Sequence, residues 1–121
     1  MSAINIEELA GAIVNALRGE LTSGFNSVSA FARTQAKRLA TQAALITEGR
    51  LSGQIDDDML EFFDDQLKVM ARNFARAMAE RTIITLQRAW NAIVDTVWSS
   101  VNRALGAAGF GTVPVPVVPI G

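Results

Sequence analysis

The chain has 121 residues, 11 of them Lys or Arg and 12 Asp or Glu, for a net charge of −1, and it contains neither cysteine nor histidine. That inventory excludes disulfides, thiol nucleophiles, most zinc sites and the commonest general base, and the intermixed charge argues against strong nucleic-acid steering, which needs clustered positive charge. Half of the residues are apolar and the mean hydropathy is +0.24, yet no run of 18 or more lacks a polar interruption, so the apolar content reads as helix faces and not as a membrane span.

At this length the expectation is a single small domain, with a marginal core if it is stretched into two rods. The start, MSAINIEELA, has acidic residues and no basic leader region, which predicts no secretory signal and synthesis in the cytoplasm. A first helical arm is predicted from about Asn5 to Glu48. Ser2 or Asn5 is placed to cap it, and Glu7 and Glu8 suit the positive end of a helix dipole. Ile6, Leu9, Ala10, Ile13, Leu17, Leu21, Val28, Phe31, Leu39 and Ile46 form one apolar stripe without a phase change. Gly11, Gly19 and Gly24 each weaken the arm by about 1 kcal/mol relative to Ala. Either a break between Leu17 and Gly24 or the close approach of another helix accounts for them.

A hinge over 49–55 follows, with Gly49 expected in the left-handed conformation at the end of the first arm and Asp56, Asp57 and Asp58 opening the second. So short a connection makes the arms antiparallel neighbours. Folding near Ser52 would set Asp64 and Asp65 level with Lys37 and Arg38, making these four residues candidate register pairs across the hairpin, each exposed pair worth about 0–1 kcal/mol.

The second arm, about Asp56 to Leu105, changes its oily side partway along. Leu60, Phe63, Leu67, Met70, Phe74 and Met78 fall within roughly 80° on a helical projection. Ile83, Leu86, Trp90, Ile93, Val94, Val97 and Val101 lie where the first half carries Glu61, Asp65, Lys68, Arg72 and Arg76. Heptad drift of about 20° per repeat is too small to produce this reversal in five turns. A bulge, kink or interruption near Ala79 to Thr82 would bring the faces into line, whereas a straight helix would bury opposite sides against different neighbours. The absence of Pro and Gly there favours the straight helix. It would leave Ile83, Leu86, Trp90, Ile93, Val97, Trp98 and Val101 as an oligomer interface.

After Leu105 the composition shifts. Gly106, Gly109 and Gly111 end the helix, and TVPVPVVPIG, with Pro114, Pro116 and Pro119, predicts an extended segment. This uncharged tail, 106–121, is expected to dock through Phe110, Val113, Val115, Val117, Val118 and Ile120 on a neighbouring subunit, the alternatives being packing on its own chain or a free end.

No constellation specifies chemistry. The acidic group from Asp56 to Asp65 lacks the alternating ligands and central Gly of a calcium loop and a second partner class for catalysis, so capping and solvation are the favoured reading, with a weak cation site behind it. Arg33, Lys37 and Arg38 could touch phosphates but read better as a solvated or salt-bridged face. Trp90 and Trp98, eight residues apart, share one side and suit a core or interface, with a bilayer surface as competitor. Gly106 to Gly111 follows a helix, the wrong context for a nucleotide loop. No metal, cofactor or catalytic residue is predicted.

The start MSAINIEELA, the glycine-containing turn between two alanine-rich helices, and NAIVDTVWSSVNRALG over Asn91 to Gly106 resemble short helical proteins encoded in bacteriophage and prophage gene clusters. The resemblance implies a non-enzymatic virion or virion-assembly component. The combined expectation is an all-α protein, a long antiparallel helical hairpin with an extended apolar tail, that forms homo-oligomers with other structural proteins as partners and no specific nucleic acid. Membrane contact is the alternative role.

Overall fold

In the computed structural model, residues 3–21 and 23–116 are described, and they form an all-helical bundle. The first helix, α1 (Ile6–Gly19), starts where Asn5 Oδ1 accepts the Glu8 backbone N–H at 3.0 Å. It buries Leu9, Ala10, Ile13, Val14 and Leu17. The predicted first arm is interrupted after Gly19. Gly24 turns the chain at φ 84, and a short 3-10 turn, Phe25–Ser27, leads into α2 (Ser29–Leu51). Phe25 is buried beneath this corner, and the Arg18 guanidinium lies 4.9 Å from its ring centroid.

Alanine dominates the inner face of α2: Ala32, Ala36, Ala40, Ala43 and Ala44 are all buried. Side chains this small let helix backbones approach closely, and α2 packs on α1 and on the two later helices. Buried Thr47 bonds back to the Ala43 carbonyl at 2.8 Å, so its hydroxyl costs the core nothing unsatisfied.

The expected left-handed cap at Gly49 is not found. α2 runs on to Leu51, and Gly53 takes the left-handed turn at φ 81. Gly49 serves a different need: a Cβ built on it would lie 2.5 Å from Ile55 Cδ1, so its bare backbone makes room for the side chain that closes the turn. Arg50 completes that turn by pairing with the Asp57 carboxylate and donating to the Ile55 carbonyl at 3.2 Å.

The second predicted arm is two helices, α3 (Asp57–Arg81) and α4 (Leu86–Ala107), and the straight-rod expectation is corrected here. No Pro or Gly makes the break; Thr82 does. Its hydroxyl donates to the Met78 carbonyl at 2.8 Å, beside the Thr82 N–H that already bonds there at 3.0 Å, and accepts the Ile84 N–H at 3.2 Å, satisfying an amide that a continuing helix would have bonded one turn back. Thr85 Oγ1 then caps α4 by accepting the Arg88 N–H at 3.2 Å. The corner lets Ile84 turn inward while Ile83 remains 75% exposed.

Successive helices run antiparallel. The bundle closes as a ring in which α1 packs on α2, α2 on α3, α3 on α4 and α4 on α1, and α2 also reaches α4 across the middle. The interior is one continuous apolar cluster drawing on all four helices. Trp90, Trp98, Met78, Leu39 and Ile13 supply its bulk, filling the space that the alanines of α2 leave open.

Candidate functional site

The residues expected to meet another subunit mostly face inward. Trp90, Ile93, Val97, Trp98 and Val101 are at most 3% exposed in the single chain, and Leu86 packs at the edge of the same core. The physical reason is the corner at Thr82: once the chain folds back, the two apolar phases face one interior. Of the predicted oligomer interface, only Ile83 remains on the surface.

The register pairs also differ from expectation. Phe31 and Phe74 stack edge to face at 6.4 Å, and the Arg81 guanidinium lies 4.0 Å from the Phe31 ring centroid, so α2 and α3 are antiparallel neighbours. Lys37, however, turns to α1 and pairs with Glu7 at 3.1 Å, and Arg38 is exposed beside the α2–α3 groove. Asp64 faces α4, accepting the Trp98 indole N–H at 3.0 Å, with Lys68 Nζ 3.4 Å from its other oxygen and 3.4 Å from Asp65. Lys37 and Asp64 thus point to α1 and α4 and not to each other.

Burial raises the Asp64 carboxyl above its ordinary value of 3.8, only partly offset by Trp98 and Lys68. Burial pulls Lys68 the other way, yet its attraction to Asp64 and its bonds to both acids leave it above its ordinary value of 10.5. This is a structural tie between α3 and α4, and one that periodicity alone gives no means of finding.

Two residues of the described tail, Phe110 and Val113, pack on their own chain. Asn102 grips Val113 with both ends of its amide: Nδ2 donates to the Val113 carbonyl at 2.9 Å, and Oδ1 accepts the Val113 N–H at 2.7 Å. Val113 is buried, Phe110 packs on the core with the Arg50 guanidinium 5.4 Å from its ring centroid, and Val115 stands exposed. For Phe110 and Val113 this replaces docking on a neighbour. Val117, Val118 and Ile120 lie outside the described residues.

Asp56 acts as a cap, its carboxylate accepting the Met59 N–H at 2.9 Å. Among the described residues no group of three or more Asp, Glu, His or Cys is placed to hold a metal ion, and no helix is long and apolar enough to cross a membrane.

What the surface does offer is relief and uncovered carbon. An open groove of about 290 Å³ between α1 and α2 has a floor of Ala10, Gly11 and Val14 and walls carrying Glu7, Arg18, Arg33 and Lys37. Elsewhere, Leu45 on α2 and Met59, Phe62 and Val69 on α3 are large apolar side chains left in solvent, with Phe62 59% and Val69 53% exposed. Sequence reading passes over Phe62 and Val69 because they lie off the stripe; their position on the charged face of α3 is the available signal. Comparison with known proteins finds no matching family, no matching curated relative and no matching solved structure.

Proposed function

We propose that this protein is a non-enzymatic structural subunit that associates with copies of itself and with other structural proteins, in keeping with the resemblance of its sequence to phage virion-assembly components. The observation that carries this reading is the exposure of Phe62 and Val69 on a bundle whose interior is otherwise closed. Phe62 stacks edge to face on Phe63 at 5.5 Å yet keeps more than half of its surface in water, and exposed aromatic residues of this kind commonly mark contact surfaces. Association on this reading joins finished bundles; it does not complete a missing core.

A bilayer role keeps the high hydropathy and low charge that suggest it but not the tryptophan stripe, since both indoles are interior, and the acids beside Phe62 oppose an anionic lipid surface. The test is light scattering of the intact chain from low to high micromolar concentration. The reading expects mass to rise above the 13.0 kDa of one chain. A single-chain mass throughout, with no binding to a co-purifying structural protein, would contradict it.

A further inference from the structure

On α3, Asp58, Phe62, Asp65 and Val69 are all exposed and fall at i, i+4, i+7 and i+11, within about 60° of one another, so they form a single outward ridge. That ridge is acidic and apolar along its first half, and Arg72 and Arg76 continue it as its basic second half. Along α1 the α1–α2 groove also runs from acid to base, so only a helix laid antiparallel to α1 sets unlike charges together. Glu7 lies toward one end, beside Lys37, with Arg33 and then Arg18 toward the other, over a floor of small apolar residues. From Glu7 to Arg18 the α1 backbone rises about 16 Å, and from Asp58 to Arg72 the α3 backbone rises about 21 Å, so the two charge patterns are of similar length.

We propose that the α1–α2 groove receives the α3 ridge of a second copy of this chain. In that arrangement α3 of the incoming copy lies antiparallel to α1, with Phe62 over Ala10, Gly11 and Val14. Its acids meet Arg18, Arg33 and Lys37, and its Arg72 points toward Glu7. Gly11 contributes open space, since a Cβ there would meet nothing within 4 Å. Lys37 is already paired with Glu7, but both side chains are more than half exposed, and such a pair exchanges partners at little cost.

Charge complementarity selects a second copy over an unrelated occupant, because the chain carries both halves of the pattern. The two surfaces occupy different corners of the bundle, α1 and α3 being opposite in the ring, so each copy uses both at once. A contact of this type is heterologous and propagates head to tail instead of stopping at a symmetric dimer. This inference rests on the self-association proposed above and specifies its geometry.

Two double variants of the full chain test it by sedimentation velocity. Arg33→Glu/Lys37→Glu spoils the groove and leaves the ridge; Phe62→Ser/Val69→Ser spoils the ridge and leaves the groove. All four side chains are surface positions, and circular dichroism checks that each variant keeps its helicity. Each variant alone should associate on the order of a hundredfold more weakly than the parent. Mixed one to one, the intact ridge of the first should seat in the intact groove of the second, giving a species of twice the 13.0 kDa chain mass and nothing larger. Folded variants that assemble like the parent, or a mixture that stays monomeric, would overturn this interface while the self-association reading survives. A parent chain that is monomeric at every concentration would overturn both this interface and the self-association it rests on.

Discussion

Trp98 and Asp64 join α3 to α4 through one hydrogen bond, indole N–H to carboxylate at 3.0 Å, between residues 34 apart in sequence. The indole is 1% exposed, so its N–H has no water to turn to if the acceptor is removed. Asp64→Ala should therefore cost about 1–3 kcal/mol more than Asp64→Asn, which keeps an acceptor oxygen in place. Equal urea midpoints for the two variants would show that the bond does not matter.

The same carboxylate sets a pH dependence. Its folded value is raised above the unfolded value, so the folded protein holds this proton more tightly than the unfolded chain does. Asp64 is therefore most favourable to stability below its unfolded value of 3.8, and that contribution declines as pH rises to the folded value, above which the cost of the buried charge is fully present. Subtracting the pH–stability curve of Asp64→Asn from that of the parent isolates this slope. A difference that grows in the parent's favour as pH rises through this window would reverse the assignment.

Asn102 clamps the tail to α4, and in doing so it satisfies both backbone polar groups of a buried valine. Asn102→Ala should lower stability by about 1–2 kcal/mol and release the segment around Val113. Hydrogen exchange at the Val113 amide should accelerate far more than exchange in α1, and limited proteolysis should cut the segment. Unchanged protection at Val113 would mean that packing alone holds the tail.

Gly49 and Ile55 should be energetically coupled. Gly49→Ala forces a Cβ against Ile55 Cδ1 and Cγ1, an overpacking that typically costs about 1–3 kcal/mol. Ile55→Ala removes both of those atoms and leaves Ile55 Cβ at 3.7 Å, an ordinary contact. In a double-mutant cycle the second substitution should therefore erase most of the cost of the first. Simple additivity would place the role of Gly49 elsewhere.

Thr82 and Thr85 form the corner on which the bundle's closure depends. Thr85→Ala removes the α4 cap and should cost about 1 kcal/mol. Combining it with Thr82→Ala, which leaves the Ile84 N–H without its acceptor, should destabilise further while leaving helical content nearly unchanged, because continuing the helix is the alternative those residues suppress. A double variant as stable as the parent would show that packing of Ile84 alone makes the turn.

Much of the inward face is legible from period alone. Leu9, Ile13, Leu17, Leu39, Ile46, Leu67, Phe74 and Met78 sit in the core as their spacing predicts. The phase reversal between Met78 and Ile83 is also visible, but its resolution is not, since a corner built from threonine hydroxyls carries no Pro or Gly signature. Ala32, Ala36, Ala40, Ala43 and Ala44 are easily passed over because alanine is a weak hydrophobic signal, although their three- and four-residue spacing marks a close-packed face. The partners of Lys37 and Asp64 depend on rotation about each helix axis, which sequence separation does not specify. Phe62 and Val69 escape notice because they interrupt a polar face instead of extending an apolar one.

The central claim is that one chain covers its own tryptophan stripe. Hydrogen exchange at the amides of Trp90, Ile93, Val97 and Trp98, measured at a dilution where the protein has the mass of a single 13.0 kDa chain, tests it most directly. Slow exchange matching that of Ile13 and Leu17 in α1 is the predicted result. Exchange at these four positions that is fast in the monomer and becomes slow only on association would show that the core is completed between chains, and would contradict the account.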